Sequence, residues 1–398
     1  MEPAVDFVIR GEGEAALPLL ADAIKQGKTP DTVPGICYRK KDGTLLISPP
    51  TRISDAHDIP LPHLDFINRK FYQRHGLDSL VITTSRGCPM ACSYCATNRK
   101  SWMGFRRRPV SAVLDEIQSA CVGRRIGFID FEDEHLTLSS DRFLELMAGI
   151  RALFGDNGPE LRAMNGLFPP SLTQEIIQAM KASGFKALNL SLGSANKDQL
   201  RRFGRPDVRD AFDAALTCAR KEGLSAVGYI LVAAPDQDPL TSVDDLLFLA
   251  QRPILAGVSV FYPAPGSSDY QRCRDLGLLP DSFSAMGSTA LPIDHRTSRQ
   301  DAVTLLRLGR ILNFMKGLVA AGIPIPCAAP LNTEKISGEE IDPKGREQLG
   351  LRVLSAFLQD GRIRGVDMDG QVYFHHVSQV LCDRFAAGIR KTWVAGCG

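Results

Sequence analysis

The chain has 398 residues, 44% of them hydrophobic, with 47 Lys plus Arg against 45 Asp plus Glu and a net charge of +2. That length excludes one small domain and suits a large domain with appendages. The balanced charge gives no reason to expect a nucleic-acid partner, and no run of 18 apolar residues marks a membrane span.

The first stretch, MEPAVDFVIRGEGE, lacks the basic region and apolar segment of a secretory signal. The ten cysteines are too sparse for a secreted disulfide scaffold, so a reducing cytoplasm is the expected compartment. Outside one cluster they are scattered singly, which suits small apolar fillers.

Residues 1–76 are expected to form an appendage: a short apolar run at Val5–Ile9, a helix near Ala16–Ile24, and a hairpin over 35–48 turning at Asp42-Gly43. The proline-punctuated stretch 58–66 predicts a linker. From residue 77 to about 290 the pattern becomes regular. Strands are expected at 79–84, 125–133, 160–167, 186–194, 225–235 and 257–266. Helices are expected at 109–120, 139–154, 171–184, 206–223 and 240–251, with a weak sixth at SSDYQRCRDLG. Six strand–helix units imply parallel pairing and right-handed crossovers, hence an α/β fold. An open doubly wound sheet and a partial (β/α)6 TIM-like barrel both satisfy this, and both place ligands at the carboxyl ends of the strands. Residues 291–398 predict an α-rich appendage with a long helix at 301–322 and a hairpin at 362–376.

Just after the first strand of that series the chain reads SRGCPMACSYC, placing Cys88, Cys92 and Cys95 in a Cys-x3-Cys-x2-Cys array. Thiolates suit zinc or iron–sulfur clusters. A structural zinc site closes with four protein ligands, whereas no fourth cysteine lies within 20 residues of this array. A zinc loop completed by His75 or His135, three unrelated buried cysteines, and a cluster with one open iron remain the alternatives from the residues alone. The isolated Cys382 and Cys397 are weak evidence for a second cluster.

This spacing, placed after the first of six strand–helix units, resembles the radical S-adenosylmethionine superfamily. The resemblance implies a partial (β/α)6 barrel in which Cys88, Cys92 and Cys95 hold a 4Fe–4S cluster. Its open iron would chelate the amine and carboxylate of S-adenosylmethionine, whose reductive cleavage yields a 5′-deoxyadenosyl radical. The resemblance also implies that Tyr94 lies near adenine and that the acidic segment Glu132, Asp133 and Glu134 receives the cofactor ammonium. Asn165, Asn189 and Ser194 are candidate polar contacts, with Ser194 and Asn189 facing ribose or carboxylate oxygens. Arg205, with Arg202, is a candidate partner of the methionine carboxylate, and Val232 and Tyr262 are candidate adenine contacts. Gly193 stands where many members of the superfamily have glutamate.

VDFVIRGEGEAALPLLADAI resembles the end of the cobalamin-binding domain found upstream of many such proteins. The Asp-x-His-x-x-Gly loop of that domain has no counterpart here, which leaves cobalamin doubtful. The chain is therefore expected either to start downstream of its natural beginning or to come from a lineage that lost the domain. The reading implies an enzyme acting on a small-molecule or unknown substrate, by methyl or methylthio transfer, rearrangement or oxidative cyclisation, with an electron donor such as flavodoxin or ferredoxin. A non-catalytic metal- or cluster-binding barrel protein is the alternative.

Overall fold

The computed structural model describes residues 4–98, 100–331, 336, 345–367 and 369–393. The architecture is α/β. The chain divides into two compact units, the first comprising residues up to Met90, Thr97–Asn165 and Ala182–Gly184, the second Ala91–Ala96, Gly166–Lys181 and Phe185 onward.

In the first unit, β1 (Phe7–Ile9), β2 (Ile36–Arg39) and β3 (Leu45–Ile47) form an antiparallel sheet in the order β1-β2-β3. The helix α1 (Gly13–Lys25) seats Ala16 and Leu20 against Val33 and Ile36, four residues apart and so on one helical face. A second sheet has the order β4 (Gln73–Arg74), β5 (Leu77–Ile82), β8 (Ile126–Phe131) and β9 (Glu160–Ala163). The pairs β5–β8 and β8–β9 are parallel. Along β5 the buried residues alternate, Asp78, Leu80 and Ile82, as a pleated strand requires. The helices α2 (Val110–Ala120) and α3 (Ser140–Phe154) pack on one another, and α2 also covers β5. Between β5 and α2 lies a two-residue ribbon, β6 (Ser85–Arg86) with β7 (Arg106–Arg107).

In the second unit β10 (Ala187–Gly193), β11 (Ser225–Val232) and β12 (Leu255–Val260) are parallel and neighbours in that order. Between β10 and β11 run α5 (Lys197–Arg202) and α6 (Arg209–Lys221), after α4 (Gln174–Ala182) has preceded β10. The buried face of α6, Phe212, Ala215, Leu216 and Ala219, has helical spacing and meets β10 and β11. The helix α7 (Pro239–Ala250) packs on β11 and β12, and α8 (Ser268–Asp275) follows β12. The long α9 (Arg299–Ala320) covers β12; α10 (Arg346–Asp360), the hairpin β13 (Arg364–Val366) with β14 (Val372–Phe374), and α11 (Gln379–Trp393) complete the unit. Among the described residues no helix is long and apolar enough to cross a membrane.

Several boundaries differ from expectation for local reasons. The first regular strand ends at Ile82 rather than Thr84, because a carboxylate takes the Thr84 N–H that a strand would use. The third ends at Ala163 rather than 167, since Gly166 has φ 87° and ends the extended run. The expected helix at 206 begins at Arg209, and a short helix at Lys197–Arg202 precedes it, capped by Asn196, whose side chain accepts from the Asp198 and Gln199 N–H groups. Cys273 and Cys382 are fully buried fillers, and burial pushes both thiols up to about 12. Cys327 departs from the single-filler expectation, being disulfide-bonded. Cys397 lies outside the described residues.

Candidate functional site

In the first unit the segment leading to Cys88 is held by an acidic strand end. The Asp133 carboxylate, 2% exposed, accepts the Thr84 N–H at 3.0 Å on each oxygen, the Thr84 hydroxyl at 2.7 Å and the Ser85 hydroxyl at 2.6 Å. Burial raises its pKa despite these donors. Glu134, whose pKa burial also raises, accepts the Gly87 N–H. Gly87 has φ 79°, and the Gly104 carbonyl occupies the space a Cβ would take, so only glycine fits the turn before Cys88. Cys88 is buried and donates its N–H to the Thr97 carbonyl at 3.0 Å, which closes the loop.

The acidic segment therefore divides by role. Asp133 bonds to the turn, while the half-buried Glu132 and Glu134 line a solvent-open cleft of about 680 Å³, together with Thr83, Leu17 and Trp102. Asn165 is exposed and its Nδ2 donates to the Glu132 carbonyl at 2.8 Å.

Glu12 is a residue the sequence reading missed. It lies in the GEGE stretch assigned to a domain remnant, yet it is 7% exposed and accepts from Arg86 at 2.8 Å, Arg106 at 2.7 Å and the Ile53 N–H at 2.6 Å. Burial opposes its charge, but the two guanidinium groups and the amide outweigh it and hold the carboxyl at about 2. The available signal was the pairing of an acidic Gly-Glu-Gly-Glu with two arginines flanking the cysteine loop. Arg108 is likewise internal, donating to the Thr83 carbonyl at 2.8 Å and pairing with Glu116 at 2.6 Å.

In the second unit the chain from Cys92 to Cys95 is stitched to two loops. The Ser93 N–H donates to the Phe203 carbonyl at 2.9 Å, and its hydroxyl to Asp269 at 2.8 Å. The Asp269 N–H returns a bond to the Ser93 carbonyl at 2.9 Å, and Cys95 N–H donates to the Cys92 carbonyl at 3.3 Å. Cys92 is buried and Cys95 is half-buried. Tyr94 meets Phe203 edge to face, ring centroids 5.3 Å apart, within a core cluster that includes Phe261 and Cys273. Its hydroxyl accepts from Arg205 Nη1 at 3.0 Å, and that nitrogen lies 3.9 Å from Cys92 Sγ. Arg205 Nη2 donates to the Ser191 carbonyl at 2.9 Å.

Ser194 lies just after β10. It is fully buried and donates to both oxygens of Asp245 at 2.9 Å, and the Ala195 N–H donates to the same carboxylate at 2.6 Å. Its hydroxyl thereby ties the loop after β10 to Asp245. Burial pushes Asp245 up to about 7 against these donors. Asn189 is half-buried on β10, Val232 is fully enclosed at the end of β11, and Tyr262 is half exposed after β12. Arg202 donates to the Asp236 carbonyl in the loop after β11 at 3.1 Å.

Residues 82–246 match the family model described as the Radical SAM superfamily. An uncharacterized methyltransferase of Pyrococcus horikoshii is 27% identical over 236 residues, 59% of this chain and 50% of that protein. An anaerobic magnesium-protoporphyrin IX monomethyl ester cyclase of Rubrivivax gelatinosus is 30% identical over 285 residues, 69% of this chain and 50% of that protein. The chain spans about half the length of these curated relatives. Among solved structures, the cobalamin-dependent S-adenosylmethionine radical enzyme OxsB with aqua-cobalamin and S-adenosylmethionine bound shares the fold, with a TM-score of 0.60 at 16% identity over 88% of this chain and 56% of that one.

Proposed function

We propose that this chain, whose residues 82–246 match the family model of the Radical SAM superfamily, is a radical S-adenosylmethionine enzyme in which Cys88, Cys92 and Cys95 hold a 4Fe–4S cluster. The carrying observation is the cysteine array itself: three thiols that are not disulfide-bonded, in a loop closed on Thr97 and anchored by Asp133 and Gly87. The donor set suits the group. Three thiolates are soft donors of the kind that hold iron–sulfur clusters. The buried Arg205 Nε, which has no hydrogen-bond partner, also suits a site whose charge is completed by a bound group.

Bound there, the cluster would supply the electron that cleaves S-adenosylmethionine to methionine and a 5′-deoxyadenosyl radical. The chain's own part is positioning. Asp133 fixes the turn before Cys88, and the Phe203 and Asp269 contacts fix the backbone at Ser93. Glu132 and Glu134 in the cleft are proposed to accept from the cofactor ammonium, with Asn165 bracing the Glu132 backbone. Tyr94, Asn189, Arg205, Val232 and Tyr262 are proposed as the remaining surroundings of the cofactor. We further propose residues 77–290 as the catalytic core, forming a partial barrel, with 1–76 and 291–398 as flanking regions. A small-molecule substrate, methyl transfer as its reaction, and a flavodoxin- or ferredoxin-type donor complete the reading; no residue is assigned to cobalamin.

Anaerobic reconstitution with iron and sulfide tests this. The expected result is about four irons per chain and release of 5′-deoxyadenosine when S-adenosylmethionine and dithionite are added. Zinc retention without cofactor cleavage, or cleavage that survives Cys92→Ala, overturns it.

A further inference from the structure

The geometry points to Arg205 as a positioning residue that raises the reduction potential of the cluster by holding a fixed positive charge against the Cys92 thiolate. This rests on the cluster reading above.

Arg205 is 9% exposed, and among the described residues no carboxylate pairs with it. A guanidinium removed from water without a counter-anion is costly. Its hydrogen bonds go to neutral oxygens, the Tyr94 hydroxyl at 3.0 Å and the Ser191 carbonyl at 2.9 Å, and Nε has no partner. A group that becomes an anion on metal binding, the Cys92 thiol, lies 3.9 Å from Nη1, since a coordinating thiol is deprotonated outright.

Two backbone features keep the guanidinium there. Gly193 has φ 79° at the register shift of β10, and a Cβ on it would come within 3.3 Å of Arg205 Nε. Gly204, with φ 63°, leaves no room for a side chain against the Ala91 carbonyl, so the chain entering Arg205 lies tight against the chain entering Cys92. The cation is thus fixed by the fold.

A one-electron reduction adds negative charge to the cluster, and iron–sulfur potentials respond to net charge and to donors at the sulfurs. A fixed cation beside one thiolate favours the reduced state. The electron comes from a low-potential donor, which is oxidised in the same step.

The test is a redox titration of the reconstituted full chain, followed by the paramagnetic signal of the reduced cluster, with no substrate present. Arg205→Gln is expected to load iron as the wild type does and to shift the reduced-to-oxidised equilibrium at least tenfold toward oxidised, about 59 mV for one electron. Arg205→Lys, which keeps the charge, is expected to stay within about threefold of wild type. A fully loaded Arg205→Gln protein within threefold of wild type overturns the inference, as does Arg205→Lys shifting as far as Arg205→Gln. If Arg205→Gln takes up no cluster, the Lys variant decides alone: full loading with a near-wild-type midpoint supports the charge role, and lost loading overturns it. A wild-type chain that takes up no iron instead refutes the cluster reading itself.

Discussion

Replacing Glu12 by glutamine removes one charge and little shape. The wild-type carboxylate faces Arg86 and Arg106 with only 6% of its side chain exposed, so both arginines lose their shared counter-charge, and Arg86 keeps only Glu14. At about 1.4 kcal/mol per pH unit, a carboxyl held at about 2 instead of 4.5 contributes about 3 kcal/mol to folding at neutral pH. Its folded pKa is depressed, so that contribution is complete above pH 4.5 and is lost as pH falls toward 2. Urea unfolding followed by circular dichroism at pH 7, 4.5 and 3 measures it. The Glu12→Gln protein is expected to be about 3 kcal/mol less stable at pH 7, with the gap closing steadily below pH 4.5. Two proteins that lose stability in parallel over that range, or a gap below about 0.5 kcal/mol at pH 7, would refute the reasoning.

Asp245 has the opposite sign. Its pKa is raised from 3.8 to about 7, so its contribution is complete below 3.8 and is lost as pH rises through 7. Thermal melts should show the wild type losing stability between pH 4 and 7 relative to Asp245→Asn, and parallel curves would count against the burial argument. Gly87→Ala forces a Cβ into the Gly104 carbonyl at positive φ, costing about 1–3 kcal/mol of local strain. Iron content after reconstitution should fall well below wild type, and an unchanged content would contradict the assigned role of that turn. Cys273 and Cys382, with thiols pushed to about 12 by burial, should resist a thiol reagent at pH 8 in the native protein and react only on unfolding; rapid native labelling at either position would be inconsistent with their packing.

The parallel strands, the helices between them and the hairpins at 35–48 and 362–376 were legible because hydrophobic period and turn chemistry are local signals. Strand ends were less so. Where β5 stops depends on Asp133, 49 residues away, taking the Thr84 N–H. A serine at a strand end looks the same in sequence whether it meets a ligand or a buried carboxylate, and Ser194 meets Asp245. Glu12 was hidden for the same reason, since its partner Arg106 is 94 residues along the chain.

By itself the sequence determined the chemistry on offer: three soft thiolates at short fixed spacing, after the first of a series of alternating strands and helices. Both are properties of neighbours in the chain, and neighbours are always near. The tertiary structure decided which polar groups are already engaged and which charge stands beside a thiolate. Hydrogen bonds and buried charges answer to distance in space, and Arg205 reaches Cys92 across 113 residues that no local pattern spans.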